Sequence, residues 1–252
     1  MKLSKRLTQI EALITTEYNH IWDTCCDHGL LGTHLILNQK AANIHLVDIV
    51  PQLIESVNEK LSRLFANPFC NTETHSNIES NPYTHWQTHC LDIAKLPLEQ
   101  YPGKHLIIIA GIGGNLMIEC MRSIISQFPT LEIDFLLCPV RHLHTLRQQL
   151  IELKLTLKKE VLLKDNKIFY EILLLSNTPL TQGQLRPLNP VSPIGETLWQ
   201  GETATEKSTA QEYLELKIKH YQRMQHGPDD PEINAIIQAY QAVQISLKNR
   251  YS

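Results

Sequence analysis

No stretch of this chain is apolar for anything like the ~18–20 residues that cross a bilayer. The longest candidate, His105–Ala110 (HLIIIA), has the length of a buried strand. Aromatic residues make up only 6% of the chain and glycine only 10 of its 252 residues. Internal repeats and low-complexity tracts are also missing, so collagen-like and globally disordered classes are excluded. The opening, MKLSKRLTQIEALI, lacks a charged stub followed by an apolar block and does not read as a secretory signal. Six cysteines in a chain this long read as reduced thiols rather than a disulfide framework. A cytoplasmic protein is expected, with one large domain or one ordinary domain and an appendage.

Neither sign of charge dominates: the formal net charge is −3. Its distribution is uneven. Residues 1–140 carry nine basic against fourteen acidic side chains, whereas residues 141–170 carry seven against three. Such a basic strip can bind phosphates without a basic protein around it. Charge alone leaves the plainer reading, a solvated helix and hairpin, equally open.

Apolar residues at Leu7, Ile10, Leu13 and Ile14 predict an amphipathic opening helix over Ser4–Ile14, with Ser4 as its cap. Short apolar runs follow at His20–Asp23, Asn43–Asp48, Tyr83–Cys90, His105–Ala110 and Asp134–Pro139. Helical patterns separate them at Gly32–Asn38, Pro51–Leu64, Asn115–Ser126 and Leu143–Leu153, and Ala66–Pro82 reads as a long polar loop. This alternation demands a mostly parallel sheet with helices on both faces. It then stops: Leu155–Leu163 and Lys167–Ser176, joined at Lys164–Asp165–Asn166, read as an antiparallel hairpin. Five parallel strands and a terminal hairpin give a class I methyltransferase-like, Rossmann-like α/β sheet of seven strands. The expected domains are 1–178 and 179–252, the latter a linker and a C-terminal helical hairpin built from Thr209–Gln225 and Pro231–Lys248, with a break at His226–Asp230.

In such sheets ligands sit beyond the carboxyl ends of the strands. That rule selects the loop Asp23–Gly32 (DTCCDHGLLG), the acids Asp48 and Asp92 after the second and third runs, and Ala110–Asn115 (AGIGGN). A carboxylate at Asp48 is placed to accept from two ribose hydroxyls, and the glycines let a ligand approach backbone. Each acid could instead only cap the next helix. Cys25, Cys26, Asp27 and His28 stand too close together to share one tetrahedral ion, so no metal is expected. Cys70, Cys90, Cys120 and Cys138 read as small buried hydrophobes. Most of the twelve histidines read as core or surface filler.

The opening Leu3–Leu7 (LSKRL), the loop Asp23–Gly32, Asp48, Ala110–Leu116 (AGIGGNL), Leu146–Leu150 (LRQQL) and Tyr170–Ile172 (YEI) together resemble the TrmK family. Its members are S-adenosylmethionine-dependent tRNA (adenine-N1)-methyltransferases. The chain departs from the family pattern where Cys25 replaces a glycine that admits the methionine part of the cofactor, so it resembles a divergent member. The resemblance implies that Asp23, Cys25, Gly29, Asp48, Ile49, Asp92, Ile93, Ala110 and Gly111 hold S-adenosylmethionine. It implies that Gly113, Gly114, Lys5, Arg6, Arg141 and Arg147 meet tRNA, with Lys154, Lys158, Lys217, Lys219 and Arg223 as further phosphate contacts. Asp27, His28 and Asn115 become the candidate catalytic helpers. Partners are expected to be tRNA and no membrane, in a monomer or homodimer. The alternatives are a methyltransferase for another RNA, a protein or a small molecule, and a non-catalytic nucleoside- or RNA-binding module.

Overall fold

The computed structural model of the chain describes residues 3–15, 17–65, 84–177, 189–225 and 230–247. The expected loop Ala66–Pro82, the start of the third strand at Tyr83, Cys70, the linker residues 179–188, the break at 226–229 and Lys248 lie outside these residues. Helix α1 (Lys5–Ala12) begins where Ser4 accepts from the Leu7 N–H, as its cap position requires. Strands β1 (His20–Thr24), β2 (Asn43–Asp48), β3 (His85–Cys90), β4 (His105–Ala110) and β5 (Ile133–Cys138) all run parallel. Helices α2 (Leu30–Leu37), α3 (Pro51–Leu64), α4 (Gly114–Gln127) and α5 (Leu143–Glu152) lie between or after them. The hairpin β6 (Thr156–Asp165) and β7 (Ile168–Ser176) closes the sheet antiparallel to β5. Its two-residue turn is Asn166–Lys167, both with positive φ, the geometry that matches strand twist.

The order β3-β2-β1-β4-β5-β7-β6 is the expected seven-stranded sheet, with its reversal between β1 and β4. Two apolar cores cover its faces. One gathers Ile107, Met117, Phe135 and Leu173, and the other Ile21, Leu35, Ile44 and Ile108. The histidines are less ordinary than expected. His20 Nε2 lies 3.2 Å from the Pro102 carbonyl and must carry the proton there. Its Nδ1 therefore accepts from His45 Nε2 at 3.1 Å, and His45 Nδ1 accepts from His89 Nε2 at 3.0 Å. Trp22 stacks on His45 and donates to His105 Nδ1. Four strands thus share one wired, neutral row of imidazoles.

The C-terminal part is helical, with different bounds from those expected. A capping box at Thr203 and Glu206 starts helix α6 at Ala204, and it runs to Met224. Helix α7 spans Pro231–Gln241 and stops short of Lys248, because the chain turns extended. Ser246–Leu247 (β9) then pairs in parallel with Gln200–Gly201 (β8). A third core, including Trp199, Tyr213, Tyr221 and Tyr240, joins these elements and reaches Leu162 and Phe169 of the hairpin.

Candidate functional site

The carboxyl ends of β1, β2, β3 and β4 bring the expected loops to one rim. Asp23 ends up buried, and the Gly32 N–H donates to its Oδ2 at 2.8 Å. Gly32 is required there: an added Cβ would lie 2.4 Å from Leu46 Cδ2. Burial pushes the Asp23 carboxyl up to about 7; the Gly32 N–H opposes this and the Asp48 charge adds to it. Asp48 accepts from the Asp27 N–H at 3.2 Å and the Val50 N–H at 3.1 Å. Asp92 caps a short 3₁₀ turn through the Ala94 N–H. Ile49 beside Asp48 is exposed, and Ile93 beside Asp92 is buried.

Between β1 and α2 the backbone turns left-handed three times, at Cys25 (φ 52°), Asp27 (φ 51°) and Gly29 (φ 63°). Only the last is a glycine, so the loop holds strain of roughly 1–2 kcal/mol at each of the other two. The Cys25 thiol is half-buried and raised to about 12, chiefly by burial, with Asp48, Cys120, Asp23 and Asp92 adding to it. At neutral pH it is a thiol and no nucleophile. A hollow of about 80 Å³ is lined by Asp23 to His28, Leu30, Leu31 and Ala110, and closed from α1 by Arg6 and Leu7. Leu30 and Leu31 belong to the expected loop, whereas Leu7 was not expected to line the site, and only the apolar spacing of α1 hinted at it.

The floor beyond β4 also forms. Gly111 takes φ 86°, and an added Cβ would meet only Arg6 Nη1, at 3.8 Å. Arg141 lies across Gly113, with Nε 3.1 Å from where a Cβ would stand. Gly114 packs against the His142 carbonyl and donates its N–H to the Arg141 carbonyl. Asn115 is exposed on the first turn of α4. Asp27 and His28 stand exposed at the mouth, 3.5 Å apart. Lys5 is exposed, and Arg6 lies over the Tyr170 ring at 5.4 Å.

One expected substrate contact is corrected. Arg147 is 1% exposed and cannot meet a phosphate. It donates to Glu160, to Glu171 and to the Ser192 carbonyl, while Tyr213 donates to the other oxygen of Glu171. Glu160 in turn accepts from the Glu196 and Thr197 N–H groups. This buried cluster joins the hairpin to the C-terminal segment. Lys158 is likewise engaged, with Asp134. Cys90 is exposed rather than buried, whereas Cys120 and Cys138 are buried as expected.

A family model described as a methyltransferase domain matches residues 3–173, the whole sheet up to the middle of β7. The chain belongs to the methyltransferase domain family. Methyl transfer is therefore its reaction class. No curated protein matches it. Among solved structures, M. capricolum TrmK in complex with S-adenosyl-homocysteine is 16% identical. There 96% of each chain is covered and the TM-score is 0.66. The B. subtilis M1A22 tRNA methyltransferase TrmK is 17% identical over 95% of this chain and 94% of its own, with a TM-score of 0.56. An uncharacterised protein of Listeria monocytogenes serotype 4b is 20% identical over 95% of both chains, with a TM-score of 0.67. At these identities the likeness is one of fold, and it extends over the C-terminal helices as well as the methyltransferase sheet. Among the described residues no group of side chains has metal-ligand geometry, and no helix is long and apolar enough to cross a membrane.

Proposed function

We propose that the rim binds S-adenosylmethionine and that the enzyme transfers its methyl to N1 of an adenine in tRNA. One observation carries this reading: Asp23, Asp48 and Asp92 stand at the carboxyl ends of β1, β2 and β3, neighbouring parallel strands, and the Asp27 N–H donated to Asp48 ties the first two loops into one rim. The donor set suits the cofactor. Carboxylates accept from ribose hydroxyls and from an adenine amine, and they favour a cationic sulfonium nearby. The open backbone at Gly111 leaves room that a side chain would fill. When bound, S-adenosylmethionine supplies a methyl that is already electrophilic.

The chain's own groups then divide the work. Asp48, with Ile49, holds the ribose, and Asp92, with Ile93, holds the adenine of the cofactor. Asp23, Cys25, Gly29, Ala110 and Gly111 enclose its methionyl end. Gly113, Gly114 and Asn115 form the floor on which the target base lies, with Arg141 beside it and Lys5 and Arg6 opposite. Neutral adenine N1 carries its own lone pair, so alignment rather than a strong base is needed. Alignment alone can supply roughly 7–11 kcal/mol. Asp27 or His28 polarises the exocyclic amine from the mouth. The fold neighbours named as tRNA (m1A22) enzymes and the TrmK resemblance favour tRNA as acceptor.

Cys25 favours one competing reading, a binding module without turnover, because its side chain narrows the cleft. Calorimetry with S-adenosylmethionine and S-adenosylhomocysteine separates the two: undetectable binding of both favours the module, whereas binding that Asp48→Ala weakens at least tenfold, by about 1.4 kcal/mol, favours the enzyme. The decisive experiment is mass spectrometry of tRNA nucleosides from cells lacking this protein. Loss of 1-methyladenosine is the expected result; an unchanged level with intact cofactor binding would redirect the reading to another acceptor.

A further inference from the structure

A second concavity lies beside the rim, between the methyltransferase sheet and the C-terminal helices. It encloses about 800 Å³ between the loop after β5, the start of β7, and helices α6 and α7. Sites for small ligands span ~300–1,000 Å³. Two features of its lining stand out. Val140, Ile168, Leu216 and Met224 line it, four of the nine large apolar side chains that stay strongly exposed among the described residues. Phe169 and Tyr221 add aromatic rings.

The second feature is its charge. Arg141, Lys167 and Lys217 line the cavity, and none of them makes an ion pair with a described residue. Lys217 lies half-buried over the Tyr213 ring at 5.0 Å, and burial pushes its pKa down, outweighing the opposing pull of the Glu171 charge. An ammonium that has lost water without gaining a hydrogen bond has most to gain from an incoming anion. The acids of the lining are largely engaged. Glu171 accepts from Arg147 and Tyr213, and Asp230 caps α7 through the Ile233 N–H. Glu232 is exposed at the start of α7, and burial lowers the pKa of His144 despite that nearby charge. Unpaired cations around an apolar and aromatic floor are what single-stranded nucleic acid requires: rings for bases and charge for phosphates. The cavity also shares Arg141 with the floor at Gly113.

We propose that this cavity holds an unstacked nucleotide of the RNA substrate, flanking the one that is methylated. Its base rests against Ile168, Leu216 and Phe169, and its phosphate meets Arg141, Lys167 and Lys217. The proposal rests on the reading that the acceptor is RNA. A base extruded for chemistry leaves its stack, and Arg141, shared by this pocket and the Gly113 floor, links the two positions.

The test uses the full chain, a tRNA transcript and S-adenosylmethionine. Lys167→Gln/Lys217→Gln should weaken tRNA binding about tenfold at moderate salt and lower the salt slope by roughly 1.5–2. Leu216→Asp should weaken it similarly, while S-adenosylmethionine affinity in calorimetry stays unchanged in both variants. Unchanged tRNA affinity and salt slope in variants that still bind the cofactor would overturn the cavity proposal alone. Cavity-dependent RNA binding by a protein that binds no cofactor would support the cavity and overturn the reading of the rim.

Discussion

Cys25 is the residue on which the proposed cofactor site turns. It occupies left-handed backbone that a glycine adopts freely, and its thiol sits within reach of three carboxylates. Cys25→Gly should therefore bind S-adenosylmethionine several-fold more tightly in calorimetry. Its stability should change by less than ~1 kcal/mol, since relief of strain and the added freedom of the unfolded chain oppose one another. Asp23 gives the site a pH dependence. With its carboxyl at about 7, mainly through burial, it is half protonated near neutrality. A cationic ligand favours the carboxylate, so below pH 7 binding must also expel a proton. Cofactor affinity should fall by up to tenfold per pH unit there and level off above about pH 8. Titration calorimetry from pH 5.5 to 8.5 in Asp23→Asn, where that dependence vanishes, checks it. The place of Asp23 was legible, because strand ends are found by hydrophobic patterning. Its burial was not, because it depends on Leu46 and Gly32 packing over it.

At the scale of elements, periodicity located every strand and helix of the methyltransferase sheet, with Asn43–Asp48, Pro51–Leu64 and His105–Ala110 matching residue for residue. The misses have physical causes. Helix α6 starts five residues early because Thr203 and Glu206 cap each other, while α7 ends early because Ser246–Leu247 pairs with a distant strand. The histidine row was missed for a similar reason: His20, His45, His89 and His105 are scattered in sequence and meet only through strand order. It has a cost in acid. Burial, reinforced by the neighbouring imidazoles, lowers His45 to about 2 and His105 to about 4. The unfolded chain takes up protons near 6.5, so stability is complete above that pH and falls as pH drops toward 4. The slope is about 1.4 kcal/mol per pH unit for each histidine kept neutral. Urea midpoints measured from pH 7 to 4.5 should fall steeply, and less steeply in His105→Gln.

The whole molecule is held together by its most misleading basic residue. Sequence placed Arg147 in a basic strip facing phosphate, because nothing local reveals that Glu160, Glu171, Ser192 and Tyr213 converge on it from separate segments. Arg147→Ala leaves two buried carboxylates without their cation. It should destabilise the protein by about 3–5 kcal/mol, seen as a large drop in melting temperature, with the C-terminal helices losing amide protection first. Arg147→Lys should recover only part of this, since one ammonium cannot replace the fork.

The sheet also has two open margins, β3 and β6. Along β6 stand Lys158, Lys159 and Lys164, and its first residues are covered by backbone from Asn189 and Pro190. Lys158 and Lys164 pair with Asp134 and Glu212, and the exposed Lys159 would face an added strand, a common safeguard against aggregation. Among the described residues β3 has no such guard: its own side chains are His85, Trp86, Gln87, Thr88, His89 and Cys90. Among the described residues, the margin open to fibril growth or misassembly is therefore the one nearest Asp92.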